Sequence, residues 1–192
     1  LDARVREIQA AIRSNPWDAH LRALRSDMLV ALWRSGVETT ARGVTTFSAA
    51  VSSAREAVEI NPMRAEYHSR LGRLHELRWL DLKETEDFQE ALNAFLRAEE
   101  LFPSNPDTAL NLGRLYDRVG QTFLAEGKYR AARRLSEEQY HIPRQFTAAQ
   151  LAELDRRIKQ INAFNNRRAD LPPLGFTEPR LLGWPARDAA RR

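Results

Sequence analysis

An all-α solenoid of antiparallel helix pairs is the fold this sequence predicts, and three observations lead there. Ala, Leu, Arg and Glu dominate the 192 residues and are strong helix formers, whereas Val, Ile and Thr are too sparse and scattered for long strands. Prolines at 16, 62 and 103 recur with the same small and apolar residues around them. A capped helical pattern follows the last of them, and then a Pro-rich segment of different character. Hydrophobic residues make up 43% and charged residues 29%, a balance that suits a packed soluble domain rather than a disordered chain.

The spacing around the prolines is specific. Ala11, Ala57 and Ala98 each stand five residues before a proline, and Ala50 and Ala91 stand twelve before theirs. Leu71 and Gly72 follow Pro62 by nine and ten residues, and Leu112 and Gly113 follow Pro103 by the same intervals. Gly120, Ala125, Tyr129 and Ala132 then lie seven, twelve, sixteen and nineteen residues after Gly113. Gly and Ala let two helices approach closely, Phe95 or Tyr129 fills the space beside them, and Pro has no N–H with which to continue a helix. After Pro16 the corresponding positions hold Arg25 and Ser26, which leaves the first unit's register the least defined.

Over residues 2–137 this pattern resembles the tetratricopeptide repeat, a pair of antiparallel helices of about 34 residues. The matches are Gly72, Ala91, Phe95, Ala98 and Pro103 in one unit, and Gly113, Tyr116, Gly120, Ala125, Tyr129 and Ala132 in the next. The proline intervals of 46 and 41 residues exceed that unit by 12 and 7. Seven residues are two helical turns, so the helices around "LRWLDLKETED" lengthen without rotating their buried face. The larger excess contains Gly36 and Gly43 and reads as a longer loop.

The helices expected are 2–14, 17–34, 46–60, 63–81, 85–101, 106–119, 121–137 and 147–163, about three repeats with a cap. Thr147 and Gln150 form a capping box at the start of the last one, whose stripe is Leu151, Leu154, Ile158 and Ile161. It reads as the cap that covers the final repeat. The repeat domain with its cap therefore spans 1–164. An extended tail occupies 165–192, where four prolines and two glycines separate Leu171, Leu174, Phe176, Leu181, Leu182 and Trp184. The tail reads as a strap docked on the solenoid, with a short linear motif for another protein as the alternative.

At the other end, Leu1, Val5, Ile8 and Ile12 form one helical face. Counted back from Pro16, this helix sits in the second-helix slot of a repeat whose first helix is missing. A chain that opens at Leu1 rather than Met reads as a piece of a longer protein. Self-association through residues 1–14 is the expected consequence.

Composition narrows the function. The net charge of +4 arises from 30 basic and 26 acidic residues mixed along the chain, not from the clustered positives of a nucleic-acid binder. No cysteine is present, which removes disulfides, cysteine nucleophiles and thiolate metal sites. The longest apolar run, "MLVALW", is too short to span a bilayer, and no signal peptide is visible. "HELRW" at His75–Trp79 is one residue from a zinc-protease helix, but Trp79 stands where the second histidine must ligate. His68 and His75 read instead as packing residues. Glu84, Glu86 and Asp87 read as a helix start and a solvated face. No phosphate-binding loop, nucleophile elbow, cofactor motif or acid–base constellation appears, so the sequence predicts no enzyme and no cofactor.

The repeat resemblance implies a protein-interaction scaffold whose first helices line a groove for a protein or peptide. Its groove positions fall on Glu66, Ser69, Arg73 and Glu76, then on Asp107, Leu110, Arg114 and Asp117, with His20, Ala23 and Asp27 in the first unit. The Lys and Asn of the chaperone-type carboxylate clamp are absent from these places. Arg73 and Arg114 are equivalent, one repeat apart, and could form a ladder for an acidic or phosphorylated ligand. Acids flank both, which favours the alternative that each pairs with a neighbour such as Glu76 or Asp117.

"AREAVEINPMRAEYHSRLGRLHEL", with "RRLSEEQ" and "TAAQLAELDRRI", is also similar to the soluble repeat tails of bacterial O-antigen ligase/polymerase-type membrane proteins. That resemblance implies a positioning domain tethered to an inner membrane through its parent, with the chemistry upstream of these residues.

Overall fold

A computed structural model describes residues 2–35, 40–138 and 145–169. The described residues form helices only: α1 (Asp2–Ser14), α2 (Ala19–Arg34), α3 (Thr40–Ile60), α4 (Ala65–Leu82), α5 (Thr85–Leu101), α6 (Pro106–Arg118), α7 (Thr122–Glu137) and α8 (Ala148–Ala169). Three hairpins, α2–α3, α4–α5 and α6–α7, make the most extensive contacts, and α1 and α8 pack at the two ends. The expected tail lies outside the described residues beyond Ala169.

One turn is used three times between units. The N–H of Asn15, Asn61 or Phe102 donates to the carbonyl of Ala11, Ala57 or Ala98, at 2.9, 3.1 and 3.0 Å. Proline follows, and the N–H of Asp18, Arg64 or Asn105 closes back on the residue before it, at 3.3, 3.4 and 3.2 Å. Proline thus takes the second position of a four-residue turn, where its fixed φ is already correct. The residue closing the turn is also the next helix's N-cap. Asp18 accepts from the N–H groups of His20 and Leu21, and Asn105 accepts from Asp107. Arg64 has no side-chain cap and instead pairs with Glu66. Trp17 and Met63 are therefore turn residues, and α2 and α4 start two residues later than the 17 and 63 expected. His68 braces one of these turns through Nε2 and the Pro62 carbonyl at 2.8 Å, so it is a hydrogen-bonding residue rather than core packing.

Within the second and third hairpins, the crossing is made by glycine against an aromatic ring. A Cβ built on Gly72 would lie 2.8 Å from two ring carbons of Phe95, and one on Gly113 would lie 2.7 and 2.8 Å from two of Tyr129. Phe95 is fully buried, and Tyr129 is held by its O–H, which donates to Asp117 Oδ2 at 3.1 Å. In the first hairpin the equivalent positions hold Ser26 and Ala54, 0% and 1% exposed. Bulk removed at the aromatic position is partly returned at the glycine position. The register left open by Arg25 and Ser26 is therefore the same register with another pair.

The two longer hairpins share a clasp near their tips. Trp33 meets Phe47 at 4.8 Å, and Trp79 meets Phe88 at 5.4 Å, both tilted. These residues occupy equivalent positions relative to the prolines. Both hairpins thus carry the same two-turn extension. This corrects the reading of the whole larger excess as loop, because α3 begins at Thr40 and takes Gly43 into the helix.

At the far end, Leu154, Ile161 and Phe146 join Ala109, Leu110, Ala125, Tyr129 and Ala132 in one core cluster. The capping box forms: the Gln150 N–H donates to Thr147 Oγ1 at 3.3 Å, and the Thr147 N–H to Gln150 Oε1 at 2.8 Å. The helix runs six residues past its expected end. Buried Asn165 explains this, because it bonds Thr122 at 2.7 Å and Glu126 at 3.2 Å on α7.

Candidate ligand groove

Helices α2, α4, α6 and α8 are tied side by side by three ion pairs. Arg70 grips Asp27 with two contacts of 2.8 Å. Arg118 meets Glu76 at 2.7 Å, and Arg157 grips Asp117 with two contacts of 2.6 Å. Each pair sets an acid on one helix against an arginine on the next. The bridging arginines were not among the expected groove residues. Their signal was present as acid-to-arginine separations of 43, 42 and 40 residues, near the repeat length.

Between these helices lie three cavities. One of about 410 Å³ is lined by Val30, Arg34, Arg73, Leu74 and Leu77 between α2 and α4. The next, about 300 Å³, is lined by Glu66, Ser69, Arg73, Asp107 and Asn111 between α4 and α6. The third, about 310 Å³, is lined by Leu110, Arg114, Asp117, Leu154 and Arg157 between α6 and α8. Arg73 therefore faces two cavities and Arg114 the third.

The eight expected positions differ in exposure. Glu66, Arg73, Asp107 and Arg114 are exposed or half-exposed, Ser69, Glu76 and Leu110 are buried, and Asp117 is half-buried. Burial pushes the Glu76 carboxyl above the ordinary carboxylate range, against the opposing pull of Arg118, Arg114 and Arg73. The Tyr129 hydroxyl is likewise raised, first by burial and then by the charge of Asp117 and its hydrogen bond, so it stays a neutral donor. Glu76 and Asp117 are the acids expected to neutralise Arg73 and Arg114, but they are engaged by Arg118 and Arg157. Among the described residues, no carboxylate lies within 4.0 Å of Arg73 or Arg114.

Away from this face, His75 is buried between α4 and α5. Its Nδ1 lies 2.9 Å from Asp87 Oδ1, and Arg78 reaches the other Asp87 oxygen at 3.0 Å. Asp87 is therefore a buried partner of His75 and not part of a solvated face. Among the described residues, no group of three or more His, Asp and Glu is placed to hold a metal ion, and no helix is long and apolar enough to cross a membrane.

The packing decides the architecture: three Pro-turn-linked hairpins closed by small residues at their crossings. This is a tetratricopeptide-like helical repeat fold. Solved structures of such proteins agree with it. A thermophilic TPR protein of Thermus thermophilus, TTC0263, superposes with a TM-score of 0.62 at 19% identity over 83% of this chain and 71% of its own. YrrB, described as a TPR protein with an unusual peptide-binding site, gives 0.59 at 18% identity over 83% and 66%. MamA gives 0.54 at 17% identity over 88% and 91%. No protein-family model and no curated protein matches the chain. None of these comparisons bears on the resemblance to O-antigen ligase tails.

Proposed function

We propose that this chain is a non-catalytic interaction scaffold that binds an acidic segment of a partner protein along the face of α2, α4, α6 and α8, with Arg73 and Arg114 as its charged contacts. One observation carries the reading. The acids that bridge neighbouring helices on this face, Asp27, Glu76 and Asp117, are held by Arg70, Arg118 and Arg157, so Arg73 and Arg114 stand beside cavities with no direct ion-pair partner among the described residues. A guanidinium in that position suits a carboxylate, which it grips through two parallel N–H donors. Leu74, Leu77 and Val30 beside Arg73 add an apolar floor for a side chain next to the acid.

The test is fluorescence anisotropy with labelled Asp/Glu-rich peptides. Hydrogen bonds to charged groups contribute about 1.5–3 kcal/mol each. Arg73→Ala/Arg114→Ala should therefore weaken binding by at least about tenfold, with helicity by circular dichroism unchanged. Undiminished binding by the double variant would leave both arginines as ordinary solvated charges and sink the proposal.

A further inference from the structure

The edge of the solenoid that carries the hairpin tips is stepped. Aligned on the crossing glycines, α4 continues ten residues beyond Gly72 and α6 only five beyond Gly113. At 1.5 Å per residue, α4 therefore stands about 7.5 Å taller than α6. The lower tip is apolar: Phe123 is 73% exposed, and Val119 and Leu124 are also open to solvent. Leu82 at the top of α4 and Phe164 on α8 are more than half exposed. These five make up most of the exposed large hydrophobics among the described residues. All five stand at hairpin tips or near the end of α8, and α8 ends on this same edge because Asn165 bonds the first turn of α7.

We propose that residues 170–192 of the same chain fold back over this edge and seat their apolar side chains in the step. Four observations select that occupant. The described chain ends at Ala169, five residues past Phe164, so the segment starts beside the lower tip. Its 23 residues can reach roughly 75 Å when extended, whereas two helix spacings back to Leu82 are about 20 Å. It offers Leu171, Leu174, Phe176, Leu181, Leu182 and Trp184, six large apolar side chains for the five exposed on this edge. Its four prolines restrict the free segment, so less backbone freedom is lost on docking.

The absence of cysteine makes the test direct. A single Ala189→Cys substitution in the full chain accepts one nitroxide, and paramagnetic broadening of backbone amides then reports which surface the segment visits. The expected result is that amides of Leu82, residues 119–124 and Phe164 lose most of their intensity, and recover it in Leu181→Glu/Leu182→Glu/Trp184→Glu. Broadening confined to the last turn of α8, or spread evenly over the surface, overturns the proposal. Broadening that appears only when labelled chain is mixed with isotope-enriched unlabelled chain also overturns it, because the occupant is then a second copy. Binding of acidic peptides is measured separately and is untouched by these outcomes.

Discussion

The first hairpin and the second share a turn and an aromatic clasp, yet they close their helix crossing with different distributions of bulk. At α4–α5 a glycine on one helix receives a full phenyl ring from the other. At α2–α3 a serine and an alanine sit in those places, both buried. The two solutions show that a repeat keeps the distance between helices rather than a residue. A ring needs a partner with no side chain, and an alanine tolerates a hydroxymethyl opposite. Interiors are packed densely enough that either pair works only as a pair.

The largest effect should come from breaking that pairing in the second hairpin. Phe95→Ala leaves Gly72 facing a hole and should cost about 3–5 kcal/mol in thermal or urea unfolding. Adding Gly72→Ser transplants the first hairpin's pair. The double variant should recover part of the loss, with a favourable coupling of about 0.5–3 kcal/mol. A double variant no more stable than the sum of its parts would mean that Ser26 and Ala54 are unrelated. Next comes overpacking of the third hairpin. Gly113→Leu drives atoms into a Tyr129 ring anchored to Asp117, at a cost of about 1–3 kcal/mol. Better helix propensity returns at most about 1 kcal/mol. A midpoint at or above wild type would show that the ring moves freely. The smallest effect sharpens the comparison from the other side. Ser26 Oγ is buried and has no hydrogen-bond partner among the described residues. Ser26→Ala removes an unsatisfied group and should raise stability by about 1 kcal/mol. Loss of stability would reveal an unseen partner for that hydroxyl.

Most of the fold was legible because its signals are local. Proline, the alanine five residues before it and the capping residue after it specify each inter-unit turn within eight residues. The helices α1 and α5 accordingly match their expected bounds. The misjudged stretch lay between Arg34 and Phe47, where length alone could not separate helix from loop. The Trp33–Phe47 spacing, matched against Trp79–Phe88, held the missing information. The groove was legible only as a row of positions. Which arginine pairs with which acid depends on contacts across some 40 residues, and flanking acids in sequence pointed to the wrong partners. Burial of Asp87 was hidden for the same reason, since its partners His75 and Arg78 lie on the preceding helix.

The three interhelical ion pairs have an orientation. In each, the acid belongs to the helix nearer the start of the chain and the arginine to the helix nearer its end. The first helices of the second and third units, α4 and α6, each carry a plug for the unit before and a socket for the one after, α2 supplies a socket with Asp27, and the capping helix supplies a plug with Arg157. A unit spliced between α5 and α6 would keep the row continuous if it opened with the plug for Glu76 and closed with the socket for Arg118. One spliced in with that polarity reversed would bring acid to acid at the seam with Glu76 and arginine to arginine at the seam with Arg118. The array thus carries a joining rule written in charge, which a builder of longer or shorter versions can follow.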